Sequence, residues 1–223
     1  MAEERQPMSG AAQRKARSGF VPYAEARHLI LDIETLGVKK PAVIASIGAV
    51  VWSFRTGVVA KFKAAVDVKG FEAAPEIETV LWWLRQSPAA IRHTFGGAKR
   101  VPIGDALSRF FAFCREQAPD YYWGNSPDFD FGHLEAYAGS PADIPWKFSQ
   151  LRDIRTFCCE DLVTLEEKRA ILRNRIQHDA LEDAKAEAEF LARSLERITG
   201  EKAFSRREPP AAAPNSPALE EHS

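Results

Sequence analysis

Three apolar, β-branched runs succeed one another before any helical pattern begins: "HLILDIETLG" from His28, "AVIASIGAVVW" from Ala42 and "GVVAKFKAAVDV" from Gly57. Arg55-Thr56-Gly57, between the second and third, reads as a tight hairpin connection. Three strands linked this closely can only pair as a meander. The rest of the chain therefore has to cover or extend a sheet that already exists.

Helical periodicity then takes over. "PEIETVLWWLRQ" places Ile77, Val80, Leu81 and Leu84 on one predicted apolar face, and Ser87-Pro88 reads as the N-cap and first residue of the next helix. A further helix is expected over about 102–117, with Ala106, Leu107, Phe110, Phe111 and Cys114 turned inward. "DYYWGN" reads as a short strand, and Ser126-Pro127 again predicts an N-cap and a proline at the first helical position. "PWKFSQLRDIRTFC" is expected to hold a short strand and a helical turn. The last helix is expected from near Asp179 to before Gly200, with Leu181, Ala184, Ala188, Leu191, Leu195 and Ile198 forming its apolar stripe. Three strands and then strand–helix units predict an α/β fold, a mixed β-sheet flanked by helices.

The 223 residues suit one domain, and 45% hydrophobic content is enough for a core. Residues 1–25, basic through Arg5, Arg14, Lys15 and Arg17, and residues 203–223, rich in Ala and Pro, lack periodic apolar positions. Both are expected to be flexible tails around a domain of residues 26–202. The basic arm could touch RNA or merely keep the chain soluble. A net charge of -1 argues against coating a duplex by bulk attraction. No apolar run is long enough to span a membrane, and no signal segment is seen, so a cytoplasmic protein is expected. Three cysteines, two of them the adjacent Cys158 and Cys159, suggest neither a disulfide framework nor a CxxC metal site.

The chemistry begins with acids in the wrong place. Asp32 and Glu34 interrupt a run that otherwise reads as a buried strand, and alternation points both to the same face while Ile33 faces the other. Neighbouring carboxylates repel, and a hard divalent cation such as Mg²⁺ or Mn²⁺ relieves them; a solvated strand end would also explain the pair. At the start of the last helix, "QHDALED" fits Asp179 as N-cap with Glu182 completing a capping box. In that frame His178 and Asp183 occupy the two positions that a hydrophobic staple brings together. Inside one continuous helix they would diverge by roughly 140°. Asp128 and Asp130 lie about 200° apart on a helix, so only one could join such a site, and spacing does not choose between them.

D-x-E at Asp32 and Glu34, "N-x-x-x-F-D" from Asn125 to Asp130 and "H-D-A-x-x-D" from His178 to Asp183 together resemble the three motifs of the DEDDh 3′-to-5′ exonucleases, which have a ribonuclease-H-like fold. "WWLRQS" and "RDIRTF" resemble, more narrowly, the branch of phage-type exonuclease A and the poly(A)-directed exoribonuclease AS. The resemblance implies Asp130 as the third carboxylate, with Asp32, Glu34, Asp130 and Asp183 holding two Mg²⁺ or Mn²⁺ ions roughly 3.5–4 Å apart. One ion would activate water, the other would stabilise the leaving 3′ oxygen, and neutral His178 would take the proton. Thr35, Leu36 and Gly37 would meet the terminal nucleotide, with Leu36 wedged against its base, although they could equally be a strand-closing turn.

The resemblance implies single-stranded nucleic acid as partner. RNA is preferred, with A-rich 3′ ends in view, and single-stranded DNA is the competitor. On the predicted helix Trp82 and Trp83 lie roughly 150° and 110° from the centre of the apolar face. They are expected either to stack on a base, with Gln86 reading its edge, or to pack against another helix or a second subunit of a homodimer. Asn125 belongs to the second motif, and Arg152 and Arg155 are phosphate-binding candidates or solvated surface charges. A noncatalytic binding protein of the same fold is the contrasting reading, against which stands the complete acidic set.

Overall fold

The computed structural model describes residues 21–96, 99–173 and 175–203. Within them one sheet holds β1 (Arg27–Thr35), β2 (Ile44–Ser53), β3 (Gly57–Ala65), β4 (Tyr121–Gly124) and β5 (Leu151–Asp153), in the order β3-β2-β1-β4-β5. β1, β2 and β3 pair antiparallel, as their short connections require. β4 joins β1, and β5 joins β4, in parallel, which needs longer crossovers. Helices α1 (Ile77–Trp83), α2 (Pro88–Phe95) and α3 (Ile103–Gln117) supply the first crossover and α4 (Pro127–Ala136) the second. Helices α5 (Leu165–Leu172) and α6 (Ala180–Thr199) end the described chain. The fold is the expected meander joined to strand–helix units.

Strand alternation divides β1 between two cores. Leu29, Leu31 and Ile33 pack with Phe110 and Phe111 of α3 and Phe131 and Leu134 of α4. Ile30 faces the opposite layer, with Ala184, Ala188, Leu191 and Leu195 of α6. Each such aliphatic or aromatic side chain contributes roughly 1.5–3 kcal/mol on burial. Asp32 and Glu34 share the face of Ile30, so the same alternation sends two carboxylates under α6. At the other end of that face His28 is fully buried. Trp123 Nε1 donates to its Nδ1 and its Nε2 lies 2.8 Å from the Tyr23 carbonyl, which fixes a neutral ring.

One cross-strand row seats the helix start. Asp32 pairs with Gly48 on β2, which pairs with Lys63 on β3. A Cβ at Gly48 would lie 2.2 Å from Ala180 C and Leu181 N, so α6 begins against bare backbone. Beside it, Lys63 Nζ reaches the α6 N-cap Asp179 at 2.6 Å.

Several expectations change. On α1 and its C-cap, Ile77 and Leu84 are 66% and 70% exposed, while Trp83 is only 4% exposed and is the residue that packs inward. The physical reason is that an indole buries more surface than an aliphatic side chain and carries a donor, here bound to the Thr35 carbonyl at 2.9 Å. Ser126 makes no side-chain cap; its φ of 91° is left-handed, and its carbonyl instead accepts from Phe129 and Asp130. Asp179 caps α6, but Glu182 completes no capping box because Arg175 and Lys185 draw its carboxylate away. Ile198 leaves the stripe and is 55% exposed near the helix end. Helix α5 was not expected; its Thr164–Glu167 capping box is the signal it offered.

The expected tails, residues 1–25 and 203–223, lie outside the described residues except for 21–25 and 203. Of the inner end, Val21, Tyr23 and Ala24 pack against the core beneath α6. Among the described residues no helix is long and apolar enough to cross a membrane.

Candidate active site

β1 delivers Asp32 and Glu34 to the end of the sheet where α6 starts. Glu34 is 8% exposed, and Asp32 Oδ2 is buried with no hydrogen-bond partner. The turn before α6 brings its two residues to the same place. His178 adopts a left-handed φ of 62°, and its backbone N–H donates to Asp183 Oδ2 at 2.8 Å. A ring nitrogen of His178 and carboxylate oxygens of Glu34 and Asp183 lie within 4.8 Å of one another. The staple-like geometry thus joins residues that a continuous helix would separate.

Helix α2 clamps this turn. Thr94 Oγ1 donates to the His178 carbonyl at 2.7 Å, and His93 Nδ1 lies 2.9 Å from Asp179 Oδ2. Burial raises the Asp179 pKa, but the Lys63 and His93 hydrogen bonds more than offset it and leave the carboxyl below its ordinary value. Asp179 is therefore an anchored structural anion, distinct from the acids it sits beside.

The structure separates the two candidates on α4. Asp130 is 3% exposed and its carboxylate accepts from the Ile33 backbone N–H, which lies beyond the last β1–β4 register pair. Asp128 is solvent-facing and paired with Lys40 at 2.8 Å. Asn125, exposed at the end of β4, donates to Glu187.

The loop after the acids is held from α1. Trp83 binds the Thr35 carbonyl, Thr35 Oγ1 donates to the Gly37 carbonyl at 2.7 Å, and Glu76 Oε1 accepts from Val38 and Lys39 N–H at 2.9 and 2.8 Å. Leu36 is half-buried. Trp82 remains 37% exposed and meets the His178 ring edge-on, centroids 4.8 Å apart. Gln86 donates back to the Trp82 carbonyl. Arg152 is engaged by the Tyr23 hydroxyl, by backbone carbonyls and by the Tyr121 ring 4.5 Å beneath its guanidinium. Arg155 is exposed and forks onto Asp153. The two tryptophans thus differ: Trp83 is packed, and Trp82 stays partly exposed against His178.

The acids repel one another and are poorly solvated. Burial, then the charge of Asp183, pushes Glu34 up to about 8. Burial likewise raises Asp130 to about 8 and Asp183 to about 6. Asp32 is raised well above the ordinary range by burial and then by Glu34 and Asp130. Burial lowers the His178 pKa, which keeps its ring neutral at pH 7. Among the described residues no Lys or Arg forms an ion pair with Asp32, Glu34, Asp130 or Asp183. Buried carboxylates with an unsatisfied oxygen and no protein cation fit hard divalent metal ions, whose affinity such oxygens provide.

Sequence reasoning missed Glu187, Thr94, His93, Lys63 and Glu76. Glu187 had a signal, since it stands four residues after Asp183 and so on the same helical face. Thr94 and Glu76 act through backbone groups, and Lys63 and His93 through the Asp179 carboxylate, all distant in sequence, which no local spacing announces.

Residues 27–195 match the family described as 3′-5′ exoribonuclease Rv2179c-like domain. No curated relative matches the chain. Among solved structures, the ExoI/SSB-Ct complex aligns at 14% identity and a TM-score of 0.50, over 78% of this chain and 41% of that one. Escherichia coli exonuclease I in complex with a 5cy-dA13 oligonucleotide aligns at 13% identity and a TM-score of 0.50, with the same coverage. At these identities the likeness is one of fold. The chain spans 41% of the length of those exonuclease structures.

Proposed function

The chain belongs to the 3′-5′ exoribonuclease Rv2179c-like family, and from that premise we propose that it is a metal-dependent exonuclease that shortens single-stranded nucleic acid, preferably RNA, from the 3′ end. The observation that carries this reading is the cluster of Glu34, His178 and Asp183 within 4.8 Å, with Asp32 and Asp130 electrostatically coupled to it and, among the described residues, no Lys or Arg ion-paired with these acids. The four carboxylates are the proposed ligands of two Mg²⁺ or Mn²⁺ ions. Bound there, such ions supply Lewis acidity and charge neutralisation for attack on a phosphodiester.

The protein's own groups divide the remaining work. Neutral His178 accepts the proton of the attacking water through its imidazole. The water oxygen joins phosphorus, the bond to the preceding nucleotide's 3′ oxygen breaks, and a nucleoside 5′-monophosphate leaves. Trp82, exposed beside His178, offers a face or edge to the terminal base, and Leu36 is the proposed wedge against that base. Trp83 holds that space open from behind by fixing the Thr35 carbonyl. Asn125, Gln86 and Arg155 are the remaining candidates for substrate contact, while Arg152 contributes chiefly by packing.

RNA is favoured by the family's description, and DNA is supported by the dA13 oligonucleotide named with the exonuclease I structure. In this reading residues 26–202 are the catalytic domain of a cytoplasmic protein, residues 1–25 and 203–223 are its tails, and a homodimer is its assembly. The deciding experiment is a time course on matched 5′-labelled RNA and DNA single strands, including oligo(A), with Mg²⁺, Mn²⁺ or EDTA. A metal-dependent ladder that shortens from the 3′ end, faster on RNA and absent in Asp32→Ala, is the expected result. No ladder on either polymer with either metal refutes the nuclease reading.

A further inference from the structure

Glu187 lies one helical turn beyond Asp183 on the buried face of α6. It is 6% exposed, and its Oε2 is buried with no partner. The Asn125 amide, which lines the same pocket, favours the charged carboxylate, and the charges that oppose it are those of Asp130, Asp183 and Asp153. Asp32 feels it in turn, and Asp32 Oδ2 is the other orphaned carboxylate oxygen at this end of the sheet. An acid with this burial requires a cation or a proton.

The nearby protein cations are committed elsewhere. Arg155 is paired with Asp153, Lys168 donates to the Cys158 carbonyl, and Arg175 is paired with Glu182 and Glu189. Glu187, like Asp32 and Asp130, lies outside the close cluster of Glu34, His178 and Asp183, and its place one turn beyond Asp183 sets it farther along α6 from that cluster. Between it and solvent is a pocket of about 250 Å³ lined by Asn125, Arg155, Cys158, Lys168 and Glu187. That space admits several water molecules, each of which occupies about 30 Å³ in the liquid.

We propose that Glu187 is a fifth carboxylate of the metal centre, a positioning residue that accepts hydrogen bonds from waters held on the Asp32 and Asp130 side, with Asn125 fixing its orientation. The inference rests on the proposed metal-binding role of those acids. It gives Glu187 a reason to be charged where no protein cation meets it. Mg²⁺ retains most of its waters, so an acceptor in the second layer strengthens its binding without touching it.

The test is Glu187→Gln, which preserves shape and removes the charge, with Mg²⁺ affinity read by calorimetry and by the Mg²⁺-induced rise in Tm. Affinity falls about tenfold, in line with outer-layer partners of metal ligands. In EDTA the variant melts no lower than wild type, because burial keeps metal-free Glu187 protonated and a neutral amide then replaces a neutral acid of the same shape. Asn125→Ala, which removes the tether and keeps the charge, weakens Mg²⁺ binding in the same direction by a smaller factor, and decides the matter if Glu187→Gln does not fold. Unchanged Mg²⁺ affinity in both variants overturns the role of Glu187 and leaves the four-carboxylate site intact. Absence of Mg²⁺ binding in the wild type overturns both together.

Discussion

Gly48 has no functional group, yet replacing it by alanine should damage the active site more than most changes of charged surface residues. The added Cβ would lie 2.2 Å from Ala180 C and Leu181 N and 2.5 Å from the Ala180 carbonyl oxygen. Against the 3.4 Å at which ordinary contact begins, the shortfall is about 1.2 Å, and the obstacle is backbone that no rotamer change can move. Either β2 bends or the start of α6 lifts, carrying Asp179, His178 and Asp183 with it. Overpacking of this kind costs roughly 1–3 kcal/mol. For a chain of this size that is a fall in Tm of about 2–12 °C. A displacement near 1 Å at reacting groups can cost about a hundredfold in rate. The assay is kcat on a labelled oligonucleotide at saturating Mg²⁺, with Tm from a thermal melt. Gly104→Ala is the control, because nothing lies within 4 Å of its added Cβ and alanine suits a helix better. A Gly48→Ala enzyme with wild-type kcat and Tm would show that α6 does not rest on β2 and would refute the seat proposed for the catalytic turn.

In EDTA, Tm should fall as pH rises from about 6.5 to 8. Glu34 and Asp130, raised to about 8, hold protons in the folded state that they lack when unfolded, so each penalty develops as pH climbs toward the folded value. His28, His133 and His178, all lowered, oppose this only below the ordinary 6.5, since their stabilisation is complete above it. Thermal melts with and without Mn²⁺ check it: a metal increment that does not grow with pH contradicts the electrostatics of the site. Asp130→Asn should abolish metal-dependent hydrolysis, while Asp128→Asn leaves it near wild type, and steady-state rates on one oligonucleotide distinguish them. Trp83→Phe should leave the Thr35 carbonyl unpaired, at about 1–3 kcal/mol, and lower Tm. Trp82→Ala should instead raise KM with Tm nearly unchanged, and the opposite pattern would exchange the roles assigned to the two indoles.

The meander, α3 and most of α6 were legible because strand alternation and helical spacing report directly on which face is buried. Asp32, Glu34, His178 and Asp183 were legible because strand and cap geometry determine where they point. α1 misled because its aliphatic spacing is regular while the burial is decided by a hydrogen bond from Trp83 to a strand forty-eight residues away. The choice of Asp130 over Asp128 depended on an Ile33 N–H beyond the last β1–β4 pair and on a Lys40 waiting outside. Neither partner is visible in local spacing. Gly48 carried no sequence signal at all, since what makes it necessary is a helix start more than a hundred residues later.

The acids reach the site from widely separated points of the chain: Asp32 and Glu34 from β1, Asp130 from α4 and Asp183 from α6. During synthesis that spread becomes a delay. At the usual 5–20 residues per second, roughly 7–30 s separate the appearance of Glu34 from that of Asp183. Through that interval the emerging sheet presents its acids without His178 or Asp183. The four acids and His178 therefore come together only after the last helix has left the ribosome and settled on Gly48.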